Sequence, residues 1–396
     1  MQGLKKAEPW WRSGRTAAEL TSFTLRRANY FVPEQKRQFS WGFSPASCSN
    51  RYCSSSIDFG PESARIATMS SSQNTTADWR GSIYPVLAID QGSASGNAER
   101  NSSGCSVLDD SSIEENGRTY HSYKQGAYFL PNDAEEQERL DIQHKSALTL
   151  LDGKLALAPL EQPRNVLDLA TGTGIWAIEF AKRYPQANVI GSDLSLIQPS
   201  NVVDNCSFIK EDAEGDEWTY NCLFDYIHLR FMVTCFNDIT GVLQKIYDHL
   251  EPGGWVEFQE STAEILSTDG SATGSTTEIF SHAIIKGLAR LGKDATWIRS
   301  LRDRLAAQGF IDITERIIPY PIGAWPEDPK FKEAGKWMAH SVSMALSGSV
   351  KLALAAGWSQ EEAEAAADKV REEMRNGQVH AFMPFHVVYA RKPAAR

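Results

Sequence analysis

Val166-Leu-Asp-Leu-Ala-Thr-Gly-Thr-Gly174 is the stretch on which the fold turns. Residues 166–170 are short, apolar and ended by a glycine-rich turn, the pattern of a buried strand. Residues 175–184 read as a helix, closed by Pro185. A strand, a Gly-x-Gly turn and a helix in direct succession set unpaired helix N–H groups beside a turn that lacks side chains. Gly172 and Gly174 therefore mark a place where the backbone can approach a ligand closely.

The pattern repeats downstream. Residues 187–192, 206–210 and 224–229 read as further strands. Residues 238–250 have helical spacing through Ile239, Leu243, Ile246 and Leu250, and that helix is expected to stop at Pro252-Gly-Gly254. Residues 255–259 read as a fifth strand. Strands alternating with helices imply an α/β fold built on a parallel sheet with right-handed crossovers. Helices are expected over 276–291 and 296–308, a strand over 311–318 and a helical insertion over 329–356. Ser359-Gln-Glu-Glu362 is a capping box that opens another helix, with Lys369, Arg371 and Arg375 toward its far end. A closing strand is expected over 386–390.

Composition sets bounds on this reading. The chain has 396 residues, 42% of them hydrophobic, enough for one large domain or two small ones. Its net charge of -10 argues against direct, sequence-independent nucleic-acid binding, which needs clustered Lys and Arg. A small nucleotide-like cofactor is still compatible with that charge, because helix N-termini hold one without net positive charge. The cysteines show no CxxC spacing and no histidines at zinc-finger distance, so neither a disulfide framework nor a metal site is expected. No apolar run approaches the roughly 18 residues that span a bilayer. The best candidate, 147–160, is broken by Asp152-Gly-Lys154, and no membrane partner is expected.

Residues 1–113 are expected to form a disordered tail, and 114–396 the folded domain. Stretches such as Ser70-Ser-Ser-Gln-Asn-Thr-Thr76 cannot bury enough surface to offset chain entropy. The first part of the tail is basic, with Lys5, Lys6, Arg12, Arg15, Arg26 and Arg27 against Glu8 and Glu19. It reads either as a mitochondrial transit peptide or as a solvated tail from an over-long gene model whose true start is Met69. Otherwise the expected location is cytoplasmic or nuclear.

Three carboxylates narrow the ligand. Asp168 precedes the glycines, where it could receive an ammonium and would repel a pyrophosphate. Asp193 ends the next strand, about 20 residues on, where a carboxylate can take both hydroxyls of a ribose. The third strand is followed by Glu211-Asp212-Ala213, an acidic turn suited to an adenine amino group. The loop alone leaves NAD open, because Ala177 is tolerated at the third position of the dinucleotide fingerprint. Taken together the carboxylates form the pattern of a class I methyltransferase, with S-adenosyl-L-methionine as cofactor and no metal. Methyl transfer from a sulfonium requires mainly positioning, which can supply roughly 7–11 kcal/mol of the barrier. Aromatic faces stabilise a sulfonium by about 0.5–2 kcal/mol each. Tyr120 and Trp176 are candidates, although a Trp on an amphipathic helix more often packs in the core.

Further segments carry a family likeness. Asn116-Gly-Arg-Thr-Tyr-His-Ser-Tyr123, Gly126-Ala-Tyr-Phe-Leu-Pro-Asn-Asp133 and Glu138-Arg-Leu-Asp141 precede the loop, and Asp225-Tyr-Ile-His-Leu-Arg230 and Leu250-Glu-Pro-Gly-Gly-Trp255 follow it. With Gly357-Trp-Ser-Gln-Glu-Glu362 and Val388-Tyr-Ala-Arg-Lys-Pro393, the sequence resembles the fungal LaeA-like methyltransferases from about Glu114 to Pro393. The resemblance implies a Rossmann-like, mostly parallel seven-stranded sheet with flanking helices, over which the N-terminal segment folds. It implies that Tyr120 lies near the methionine part of the cofactor. Asp168, Gly172, Thr173, Gly174, Asp193, Leu194, Asp212 and Ala213 would line the rest. Arg230 could pair the methionine carboxylate bidentately, or be a structural salt bridge. His228 is the first candidate base, against a structural role at a strand end, and His340 the second. Ala170 stands where many methyltransferases carry Gly, which is harmless if the residue stays extended.

Two functions follow from the resemblance, since the family includes enzymes of secondary-metabolite clusters and nuclear regulators that act with velvet proteins. The first is methylation of a small-molecule acceptor, with Phe331, Trp337, Met338 and Met344 of the insertion lining an apolar pocket or packing in the core. The second is a regulatory subunit with a protein partner. The basic tail has no compact cluster like a strong nuclear signal, which favours the first.

Overall fold

The computed structural model describes residues 113–115, 118–120, 131–215 and 217–395. The tail expected over 1–113 lies outside the described residues, apart from Ile113. Ile113–Glu115 (β1) and Arg118–Tyr120 (β2) form an antiparallel pair. Ala134–Leu150 (α1) follows, capped by Asp133, whose carboxylate accepts the Glu136 N–H at 3.1 Å and also pairs with Arg118.

The alternating region begins with Asn165–Leu169 (β3), Ile175–Arg183 (α2), Asn188–Asp193 (β4), Cys206–Lys210 (β5) and Phe224–Arg230 (β6). Ile239–His249 (α3) then leads straight into Leu250–Ser261 (β7). Thr276–Arg290 (α4), a short 3-10 turn at Trp297–Ser300, Leu301–Gln308 (α5) and Ile311–Pro321 (β8) follow. Pro329–Ala355 (α6), Gln360–Asn376 (α7) and Phe382–Arg391 (β9) complete the chain. The expected capping box at Ser359 and Glu362 is formed.

Seven strands make one sheet in the order β5-β4-β3-β6-β7-β9-β8, with β9 antiparallel to both neighbours and β3 to β7 parallel. The mostly parallel seven-stranded sheet read from the sequence is observed. The chain runs outward from β3 through β4 to β5, then returns to β6 on the other side of β3. A crevice opens at the carboxyl ends of the strands where that order reverses.

Strand alternation divides the core. Val166 and Tyr226 face one layer with Trp176 and Phe180, whose rings stack at 4.7 Å. Leu167, Leu169, Ile227 and Leu229 face the other layer with Val242, Leu243 and Ile246 of α3. The helices α4, α6 and α7 pack into a third cluster around Phe280, Leu346 and Val370.

One expectation needs correction. Pro252-Gly-Gly254 does not separate helix from strand; it lies inside β7. The register jumps there, Phe224 pairing with Leu250 and Tyr226 with Trp255, so the segment is an irregularity in the ladder that absorbs extra residues. Gly253 has φ +88, which few other residues adopt. Helix α1 went unread in the sequence, and it covers the crevice.

Candidate cofactor site

A cavity of about 240 Å³ occupies this crevice. Asp168, Gly172, Thr173, Asp193, Leu194, Asp212, Ala213 and Arg230 all line it, drawn from the ends of four parallel strands. Tyr120 ends β2, and its side chain lies outside the described residues.

The glycine turn is shaped by packing as well as by its opening onto the cavity. Gly172 has φ +59, and a Cβ there would meet only the Leu140 Cδ1 at 3.5 Å, so that position is open. Gly174 caps α2 at φ +79 and does not line the cavity; a Cβ there would sit 2.4 Å from the Phe208 ring. Phe208 also closes on Gly191 in β4, a second glycine that the sequence reading passed over. Ala170 is not extended: its φ is +55. The left-handed region carries a penalty of roughly 1–2 kcal/mol for an L-residue, so Ala is tolerated here under strain. Phe231, after β6, has φ +58 and also lines the cavity.

Asp193 joins the two sides of the turn. Its Oδ2 accepts the Gly172 N–H at 2.9 Å and its Oδ1 accepts the Ser195 N–H at 3.0 Å. Burial pushes its carboxyl up to about 6, despite those two bonds. An ionised carboxylate has about four acceptor positions, so the backbone bonds leave capacity for hydroxyl donors. At the next strand end, the Asp212 side chain accepts the Glu214 N–H at 2.8 Å. Glu214, unread in the sequence, accepts the Asn237 and Asp238 N–H groups, both at 2.6 Å, and ties this turn to the start of α3.

Register accounts for the other end. Asp168 in β3 pairs with His228 in β6, so their side chains share one face of the sheet. The Asp168 Oδ1 lies 2.8 Å from the His228 Nδ1, and its Oδ2 accepts the Thr171 hydroxyl at 2.6 Å. His228 stacks on Trp176 at 3.8 Å, and its Nε2 is buried with no partner. His228 also lines the cavity, and its bond to Asp168 and its stack on Trp176 are those of a residue that supports Asp168. Trp176 is 1% exposed and donates its Nε1–H to the Leu155 carbonyl at 3.0 Å, and it also lines the cavity. His340 is exposed on α6.

Helix α1 contributes residues that the sequence reading missed. Leu140 and Gln143 line the cavity. Asp141 accepts the Thr173 hydroxyl at 2.7 Å, and burial raises its carboxyl above the usual range. His144, 3% exposed, lies 2.7 Å from Arg230 through its Nδ1 and 3.1 Å from Glu179 through its Nε2. The only signal for this helix was Asp133 followed by Glu135 and Glu136, an N-cap with an acidic first turn.

The loop leaving β6 forms the apolar wall, through Phe231, Met232, Cys235 and Phe236. Beneath it Glu260, fully buried in β7, accepts the Met232 and Val233 N–H groups, at 2.5 and 3.1 Å. Burial pushes its carboxyl up to about 8. Phe331, Trp337, Met338 and Met344 do not reach the cavity. Met338 and Phe331 join the core cluster, and Trp337 lies under the Lys145 ammonium at 4.0 Å.

These groups fit S-adenosyl-L-methionine. A half-buried carboxylate that can still accept suits ribose hydroxyls, and a partly buried guanidinium and a buried carboxylate, Arg230 and Asp168, suit the two charges of an amino acid. Residues 142–313 match the family model described as "Methyltransferase domain". Methyltransferase pytC of Aspergillus terreus is 36% identical over 283 residues, covering 70% of this chain and 87% of that protein. Protein-methionine methyltransferase laeA of Emericella nidulans is 34% identical, covering 71% of this chain and 76% of that protein. Secondary metabolism regulator LAE1 of Cochliobolus heterostrophus is 34% identical, covering 72% and 95%.

Proposed function

Because the chain belongs to the fungal LaeA-like family of S-adenosyl-L-methionine-dependent methyltransferases, we propose that it methylates a small-molecule acceptor in secondary metabolism. The observation that carries this reading is the apolar wall of Phe231, Met232 and Phe236, which opens on the same cavity as Asp168 and Arg230. The likeness to pytC over most of its length supports it.

When bound, the cofactor supplies a methyl group already activated on a sulfonium. The chain's own residues then have to orient and desolvate. Asp193 holds the ribose hydroxyls, and Asp212 with Ala213 holds the adenine edge. Asp168, steadied by Thr171 and His228, faces the ammonium, and Arg230 faces the carboxylate. The β6 loop, held by Glu260, presents the acceptor and keeps water out.

A second reading has support of its own: relatives named as regulators of secondary metabolism align over 76% and 95% of their length. In that reading the acceptor is a protein and a velvet-type partner is engaged. Incubating the purified full-length chain with methyl-labelled cofactor and a fungal extract separates the two. Label in organic-soluble products supports the small-molecule enzyme. Label confined to protein, with capture of a nuclear partner, replaces that reading with the regulator.

A further inference from the structure

Arg230 is a partly buried cation with an unusual partner. No described carboxylate pairs with it; its Nη2 instead lies 2.7 Å from the His144 Nδ1. A guanidinium can only donate, so the Nδ1 must be the bare, accepting nitrogen. The ring proton is then on the Nε2, which faces the Glu179 Oε2 at 3.1 Å. Glu179 thus selects the one neutral tautomer that can receive Arg230. Burial and the Arg230 charge both hold the His144 imidazolium form below its usual range, and the ring stays neutral. The three residues come from three elements: Arg230 from the end of β6, His144 from α1 and Glu179 from α2.

We propose that His144 is a positioning residue, which Glu179 orients so that it holds the Arg230 guanidinium toward the carboxylate of the cofactor's methionine part. The inference rests on the reading of Arg230 given above and adds the relay behind it. The relay also joins the covering helix α1 to the cofactor. Together with the Asp141–Thr173 bond it pins α1 at both ends of the amino-acid subsite. Arg230 keeps most of its N–H donors for a ligand, while His144 uses one to fix the plane of the fork.

The test compares binding of S-adenosyl-L-methionine and its decarboxylated form to the full-length chain by calorimetry. His144→Leu removes a hydrogen bond to a charged group, worth roughly tenfold in affinity. That loss is expected for the intact cofactor and not for the decarboxylated one. His144→Asn, which can present an amide oxygen near the Nδ1 position, is expected to restore much of it. If Arg230→Gln discriminates between the two ligands but His144→Leu does not, the relay is overturned and the Arg230 reading stands. If Arg230→Gln weakens both ligands equally, or neither, the Arg230 reading falls and the relay with it. Should His144→Leu fail to melt cooperatively, Glu179→Leu at a half-buried site reads the same relay. It is expected to lower the preference for the intact cofactor severalfold, and an unchanged preference overturns the proposal.

Discussion

Lowering the pH from about 7 to about 5 is expected to weaken binding of 5′-methylthioadenosine, which carries the ribose but no amino-acid part, roughly tenfold. The cause is Asp193. In the free protein burial holds its carboxyl at about 6. Hydroxyl donors from a ribose favour the ionised form and return the bound value toward about 4. At about pH 5 roughly nine free sites in ten are then protonated, against roughly one occupied site in ten. Binding must expel that proton, so affinity falls as the solution is acidified and levels off above about pH 7. The sign for folding runs the other way: a carboxyl raised in the folded state binds extra protons between its unfolded and folded values. The free protein therefore loses stability as pH rises through that window. Glu211 lines the same cavity, and Asp141 lies beside the turn; both are raised, so the wild-type curve alone does not isolate Asp193. Asp193→Asn does. It keeps an oxygen for one of the two backbone N–H groups and has nothing to titrate. The variant should bind about tenfold more weakly near neutrality and show a flattened profile. Calorimetry across the pH range is the assay. A flat wild-type profile, or a slope that survives in Asp193→Asn, refutes the reasoning.

Three other outcomes are expected from denaturant titrations. Gly174→Ala adds a methyl 2.4 Å from the Phe208 ring at a left-handed position, and should destabilise by about 2–4 kcal/mol. Adding Phe208→Ala should relieve the steric part, with a coupling of at least about 1 kcal/mol; strict additivity would remove Phe208 as the cause. Ala170→Gly removes left-handed strain of roughly 1–2 kcal/mol and adds about 0.4–1 kcal/mol of unfolded-chain entropy, so the variant should be slightly more stable. A clear loss of stability would show that the methyl packs favourably. Glu260, raised to about 8, makes the folded protein lose stability as pH rises from its unfolded value through that point. Glu260→Gln should flatten that decline, and an unchanged pH profile would place the titration elsewhere.

The alternating half of the domain was legible because each element there has an unbroken period. Cys206–Lys210 was read with its observed bounds, and Phe224–Arg230 fell one residue short. The aspartates were legible for a related reason: a polar residue ending a buried apolar strand stands out, and parallel strands bring such ends to one edge. Register is not written in a single strand. That His228 lies beside Asp168 under Trp176, and that its Nε2 has no partner, follows only from the pairing of β3 with β6. Pro252-Gly-Gly254 misled because residues that usually end an element here occupy an irregularity within one.

Helix α1 escaped for a different physical reason. Of its seven buried residues, Glu136, Arg139, His144 and Ser146 are polar. A search for apolar residues at helical spacing therefore finds little. The polarity has a cause in the packing. Arg139 reaches Ser341 and Ser146 reaches the Ala334 carbonyl, so α1 meets α6 through hydrogen bonds. On its other side Asp141 and His144 meet the cofactor turn and Arg230. A helix that buries polar groups must satisfy each one, and every such bond fixes its rotation and height. An apolar face would have covered the crevice with less precision about where Arg230 points. The weak hydrophobic period that hid α1 in the sequence is thus the same property that lets it orient the site.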